Sequence, residues 1–138
     1  LHDNILTVKV IADANIFLAV ALEEPEKESI INSTKNVELA SPEILSFELS
    51  NALSRLKRRN LISTEEALRS WHIIQYIPVE LLSIHCGKTL KLALDMNIYA
   101  YDAYYLTCAI SNELPLLTLD KGMINKAKTL GIKLLEVE

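Results

Sequence analysis

Val8-Lys9-Val10-Ile11-Ala12-Asp13-Ala14-Asn15 reads as a strand that ends in a carboxylate and a turn. Five residues dominated by β-branched and small apolar side chains suit a strand buried on both faces of a sheet. Asp13 and Asn15 break the run, and the apolar residues that follow, to position 22, suit a buried helix. A buried strand feeding directly into a helix is the opening unit of an α/β sheet. It leaves Asp13 at the strand's carboxyl end, the edge where open parallel sheets bind ligands.

The same alternation continues outward. Pro25 opens a charged helical stretch reaching about residue 35, and residues 37–40 form a second short strand. Ser41-Pro42 has the chemistry of a helix start, an N-cap oxygen followed by a proline that needs no donor. Leu45, Leu49, Ala52, Leu53 and Leu56 recur at helical spacing, so that helix buries one stripe and runs to about residue 59. Ser63 and Glu66 form a capping box for a helix through about residue 76, where Pro78 stops it. Residues 79–84 give a third strand, 85–96 and 101–111 two helices, and 114–119 a fourth strand. Asp120-Lys121-Gly122 turns into a short helix ending near Gly131, and residues 132–137 give a last strand. The expected fold is a three-layer α/β/α domain with a mostly parallel central sheet. No repeat or linker interrupts it, so residues 1–138 are expected to form one domain.

The balance of 50% hydrophobic and 23% charged residues places the chain among globular proteins and not disordered ones. A net charge of −4 argues against nucleic-acid binding through an overall basic surface, though not against an enzyme that grips phosphate through metal. Cys86 and Cys108 have neither metal nor disulfide-scaffold spacing; both are expected to be buried small hydrophobes in a reduced, cytoplasmic protein. Residues 8–22 lack a basic flank and a cleavage site, and no run reaches the ~20 apolar residues of a membrane span. The chain is therefore expected to be neither secreted nor inserted.

Four acids stand where chemistry is expected. Asp13 follows the first strand and Asp120 the fourth, so both project from one sheet edge. Glu48 lies about 60° from Leu45 and about 40° from Ala52 on a helical wheel, flanking the buried stripe. Buried there, it needs a partner or a metal; pairing with Arg55 is the plain alternative. Asp102 falls near the start of its helix, where the dipole alone would favour it. Two carboxylates ~4 Å apart repel by about 4 kcal/mol at an effective dielectric of ~20, so four gathered acids call for cations.

In order, VIADANIFLAV (10–20), SPEILSFELSNAL (41–53), YAYDAYYLTCAI (99–110) and PLLTLDKGM (115–123) resemble the four acidic motifs of PIN domains. Separations of 35, 54 and 18 residues between the acids match, and the likeness covers nearly the whole chain. Within the family it is nearest to the short VapC-type toxins of prokaryotic toxin–antitoxin pairs. This resemblance implies a divalent-metal-dependent endoribonuclease. Asp13 and Asp102 would be the principal metal ligands, and Glu48 and Asp120 would complete the acidic pocket. Asn15 would support Asp13, and Thr118 would orient a ligand or water. Hard oxygen donors favour Mg²⁺ or Mn²⁺. The resemblance also implies an RNA substrate, a small antitoxin protein bound across the acidic groove, and a homodimer.

Other readings have less support. Haloacid-dehalogenase-like phosphatases need Asp-x-Asp after the first strand, where this chain has Asn15; receivers need an adjacent acidic pair; dinucleotide binders need a glycine-rich first turn. The serious alternative is a catalytically silent PIN-like module that binds RNA or protein, for which four clustered acids have no evident use. Lys121 and the Lys57-Arg58-Arg59 run are candidate RNA contacts, though a turn lysine and cations closing a helix need no such role. Tyr101, Tyr104 and Tyr105 could stack on bases, but packing is the simpler expectation. His2, His72 and His85 have no expected catalytic role.

Overall fold

The computed structural model describes residues 7–137; His2 lies outside them. Four parallel strands, β1 (Val8–Ala12), β2 (Val37–Pro42), β3 (Glu80–Leu82) and β4 (Leu116–Leu117), form a sheet in the order β3-β2-β1-β4. Among the described residues, seven helices connect and cover them: α1 (Ala14–Ala21), α2 (Lys27–Ser33), α3 (Leu45–Arg58), α4 (Thr64–Ile74), α5 (Cys86–Met96), α6 (Ala100–Asn112) and α7 (Lys121–Thr129). The expected α/β architecture, a mostly parallel sheet between two helical layers, is the one observed. Chain order runs outward from β1 through β2 to β3, then returns to β4 on the other side. The order therefore reverses between β1 and β4, and the crevice above their carboxyl ends is the switch point.

Alternation along β1 builds two cores. Val10 and Ala12 face one layer, with Ile16 and Phe17 of α1, Ile30 of α2, Leu45 and Leu49 of α3 and Ile74 of α4. Ile11 faces the other, with Tyr105, Leu106, Cys108 and Ala109 of α6 and Met123 and Ala127 of α7. All three β1 residues are fully buried, which is why the run reads as continuously apolar.

Local chemistry sets most boundaries. Ser63 caps α4 through the expected box, its hydroxyl accepting from Glu66 N–H and the Glu66 carboxylate accepting from Ser63 N–H. Gly131, at φ +74°, supplies the left-handed turn beyond α7, a conformation that costs glycine little.

Three expectations are corrected. Ser41 does not cap a helix: β2 continues through Pro42, and α3 starts at Leu45 with no side-chain cap. Ser41 is fully buried, and its hydroxyl donates to the Ala12 carbonyl at 2.6 Å. The last strand reduces to one parallel bridge, Leu116 to Leu134, because β4 itself is only two residues long. Cys86 is exposed at the start of α5, where it accepts from the Tyr104 hydroxyl; only Cys108 is buried, and burial pushes its thiol up to about 11.

Ser41→Ala should lose about 1–2 kcal/mol of stability in urea unfolding, because a buried carbonyl at the end of β1 loses its hydroxyl donor. An unchanged midpoint would show that the Ser41–Ala12 bond contributes nothing.

Candidate active site

The backbone places Asp13 before its side chain does anything. Its N–H donates to the Leu117 carbonyl at 2.9 Å, the rung that follows the Ala12–Leu117 pair, so Asp13 leaves the sheet at the β1–β4 seam. As N-cap of α1, its Oδ1 accepts from Ala14 N–H at 2.7 Å. Oδ2 accepts from the Thr118 hydroxyl at 2.7 Å and from Asn15 Nδ2 at 3.3 Å. The Thr118 hydroxyl accepts in turn from Asp120 N–H, and Asn15 Oδ1 from Leu119 N–H. Asn15 and Thr118 thus stitch the end of β1 to the turn after β4.

Asp120 caps α7, its Oδ1 accepting from Gly122 and Met123 N–H. Glu48 comes from the first turn of α3, and Asp102 from the first turn of α6. A cleft of about 350 Å³ brings all four acids together, with Asn15 beside them. Thr118 sits behind Asp13 and does not line it. Asp13 is buried, Glu48 and Asp102 half-buried, and Asp120 exposed.

Charge compensation in the cleft is sparse. Burial pushes Asp13 up to about 6, against the hydrogen bonds from Thr118 and Ala14, with the Asp102 and Asp120 carboxylates adding to the rise. Burial likewise raises Glu48, offset by the nearby Tyr105 hydroxyl and reinforced by Asp13 and Asp102. Asp102 is raised by burial and by Asp120, with Lys126 of α7 opposing. Glu48 forms no ion pair with Arg55 among the described residues. Its Oε1 is buried without a hydrogen-bond partner.

That donor set fits a hard divalent cation: carboxylate oxygens, an orphaned buried acceptor, and no His or Cys in the lining. Among the described residues, no three Asp, Glu, His or Cys side chains converge into a preformed metal group. The acids surround the cleft without closing on a point, an arrangement consistent with mutual repulsion.

Three further residues of the lining were legible only in part. Arg55 sits two turns along α3 from Glu48, and Phe47 and Tyr101 are exposed beside Glu48 and Asp102. Helical spacing from Glu48 could have flagged Arg55 and Asn51 as cleft residues and not mere partners. Lys121 opens α7 outside the cleft, and the cation that acts on Asp102 is Lys126. Of the three tyrosines, Tyr105 is buried, Tyr104 contacts Cys86 and Tyr101 lines the cleft.

An acidic cleft at the switch point of a β3-β2-β1-β4 parallel sheet agrees with the family comparison: the PIN domain family matches residues 10–129, and the protein belongs to it. It is 26% identical over 124 residues to Ribonuclease VapC3 of Pyrobaculum aerophilum, which covers 86% of this chain and 95% of that protein. The crystal structure of PAE2754 from Pyrobaculum aerophilum superimposes with a TM-score of 0.67 at 22% identity, covering 90% of this chain and 87% of that one. VapBC2 from Rickettsia felis, solved bound to a DNA fragment from its promoter, gives 0.65 at 19% identity, covering 94% and 98%. At those identities the two structures establish a shared fold. No helix among the described residues is long and apolar enough to cross a membrane.

The raised Asp13 carboxyl has a defined sign. The folded state holds this proton more tightly than the unfolded chain, so metal-free stability falls as pH rises from about 4 through about 6. Asn caps a helix as well as Asp and carries no charge. In EDTA, Asp13→Asn removes the buried charge but turns an amide donor toward the Thr118 and Asn15 donors, so its stability relative to the wild type should be greater at pH 7.5 than at pH 5 by about 1 kcal/mol, read as a difference in Tm. At pH 5 wild-type Asp13 is mostly protonated. A relative stability equal at both pH values would mean that Asp13 is not the titrating group.

Proposed function

We propose that this protein is a VapC-type toxin: a divalent-metal-dependent endoribonuclease that cleaves RNA phosphodiester bonds as a single PIN unit. The observation that carries the reading is the gathering of Asp13, Glu48, Asp102 and Asp120 in one cleft at the sheet's switch point. Membership in the PIN family and similarity to a VapC ribonuclease support it.

Asp13 and Asp102 would hold the ion, with Glu48 and Asp120 completing the oxygen set. A bound Mg²⁺ or Mn²⁺ supplies Lewis-acid activation of water and neutralises charge on the phosphate. Thr118 and Asn15 keep the Asp13 carboxylate turned to the β1–β4 seam. Arg55 is the cation of the cleft lining and meets a phosphate of the entering strand. Phe47 and Tyr101, 73% and 58% exposed, offer rings on which flanking bases stack. The structural neighbour VapBC2 supports a small antitoxin partner, which would cover the same cleft. A homodimer acting in the cytoplasm completes the proposal.

Purified protein should cut labelled single-stranded RNA in Mg²⁺ or Mn²⁺, lose that activity in EDTA, and lose it again in folded Asp102→Asn. Mn²⁺ should also raise the Tm of the wild type. No cutting in either metal, with no metal-induced stabilisation, would favour the silent binding module.

Arg55→Ala should raise KM for RNA about two- to fivefold with kcat nearly unchanged, the scale of one exposed ion pair. A fall in kcat alone would remove Arg55 from substrate binding.

A further inference from the structure

Tyr105 follows Asp102 by three residues on α6, one turn further along and on the same side. It is 1% exposed and fills space in the core beneath α6 and α7, a task that phenylalanine would do as well. The phenol hydroxyl is therefore what needs explaining. It is buried without a hydrogen-bond partner, and so is Oε1 of Glu48 on α3. Buried polar groups are almost always paired, so two orphans in one place, a donor and an acceptor, call for a common cause. The two lie within reach of each other, the Tyr105 hydroxyl and the Glu48 carboxylate acting on one another as a side-chain hydrogen-bonding pair. A phenol hydroxyl is a donor that a carboxylate oxygen can accept from.

We infer that Tyr105 is a positioning residue of the acidic site: its hydroxyl donates to the buried oxygen of Glu48 and leaves the other oxygen for the cleft. Completing that bond satisfies both orphans at once. Glu48 is half-buried and lines the cleft, so its second oxygen is the one available to a divalent cation. The hydroxyl thus selects which way a flexible glutamate faces, as partners behind metal ligands generally do. The inference rests on the metal-dependent nuclease reading above.

The test uses the full chain and the Tyr105→Phe variant, which keeps the ring and removes only the hydroxyl. Tyr105→Phe should fold, with a modestly lower Tm in EDTA because the buried Glu48 oxygen loses its donor. Its Mn²⁺ affinity by calorimetry should fall about tenfold, and kcat on RNA about tenfold with KM unchanged. In a Glu48→Gln background the same change should cost nothing further in Mn²⁺ affinity, because the hydroxyl acts through Glu48. Unchanged Mn²⁺ affinity in Tyr105→Phe overturns the inference. So does an equal loss in the Glu48→Gln background, and so does failure of Tyr105→Phe to fold, since the hydroxyl would then serve the core. Wild-type protein that binds no Mn²⁺ overturns the nuclease reading together with this one, which separates the two failures.

Discussion

The seam between β1 and β4 is two residue pairs long, and the whole acidic cleft hangs on it. Ile11 and Ala12 pair with Leu116 and Leu117, and backbone bonds from Ile11 to Pro115 and from Asp13 to Leu117 extend the contact by one rung at each end. On its far side Leu116 is held by Lys133 and Leu135. The four paired residues are fully buried, so water competes little for the bonds between them. Two carboxylates at the carboxyl end of parallel strands are then brought together by topology, without any attraction between them. Thr118 is the joint: one hydroxyl donates to Asp13 and accepts from the amide of Asp120.

The helices add acids from opposite layers. α3 belongs to the core that faces Val10 and Ala12, and α6 to the core that faces Ile11. Each presents its carboxylate in the first turn, where the helix dipole offsets some of the cost of holding negative charge in a half-buried position. That offset is partial, as the raised Glu48 and Asp102 carboxyls show. Fold stability and charge accommodation therefore pull in different directions at this edge. A bound cation relieves the second without altering the first.

Much of this was readable from the chain, and the failures have physical reasons. Buried strands announce themselves by unbroken apolar runs, and β1 was read at its observed limits. Sheet edges do not: β3 and β4 shrink to three and two residues because their neighbouring apolar residues pack on helices instead of pairing. Ser41-Pro42 has the right chemistry for two different places, a helix cap or a strand end, and only the Ala12 carbonyl decides between them. For the site, the four acids were identifiable by type and position. Phe47 was not, and Arg55 and Tyr105 were read only as an ion-pair partner of Glu48 and a packing or stacking ring, because a side chain's use depends on which helix faces it. Tyr105 illustrates the limit. Its ring is ordinary core, and only the burial of its oxygen opposite Glu48 marks it as different.

Because Glu48 and Asp102 stand on separate packing layers, with Asp13 and Asp120 on the sheet between, the cleft spans two cores. A shift of either layer against the sheet changes the spacing of the carboxylates. The geometry of the acidic edge thus depends on how both layers sit on the sheet. On warming, its geometry should degrade through partial openings before the two cores melt cooperatively. A site built this way depends on the registration of its layers as well as on the strength of either one.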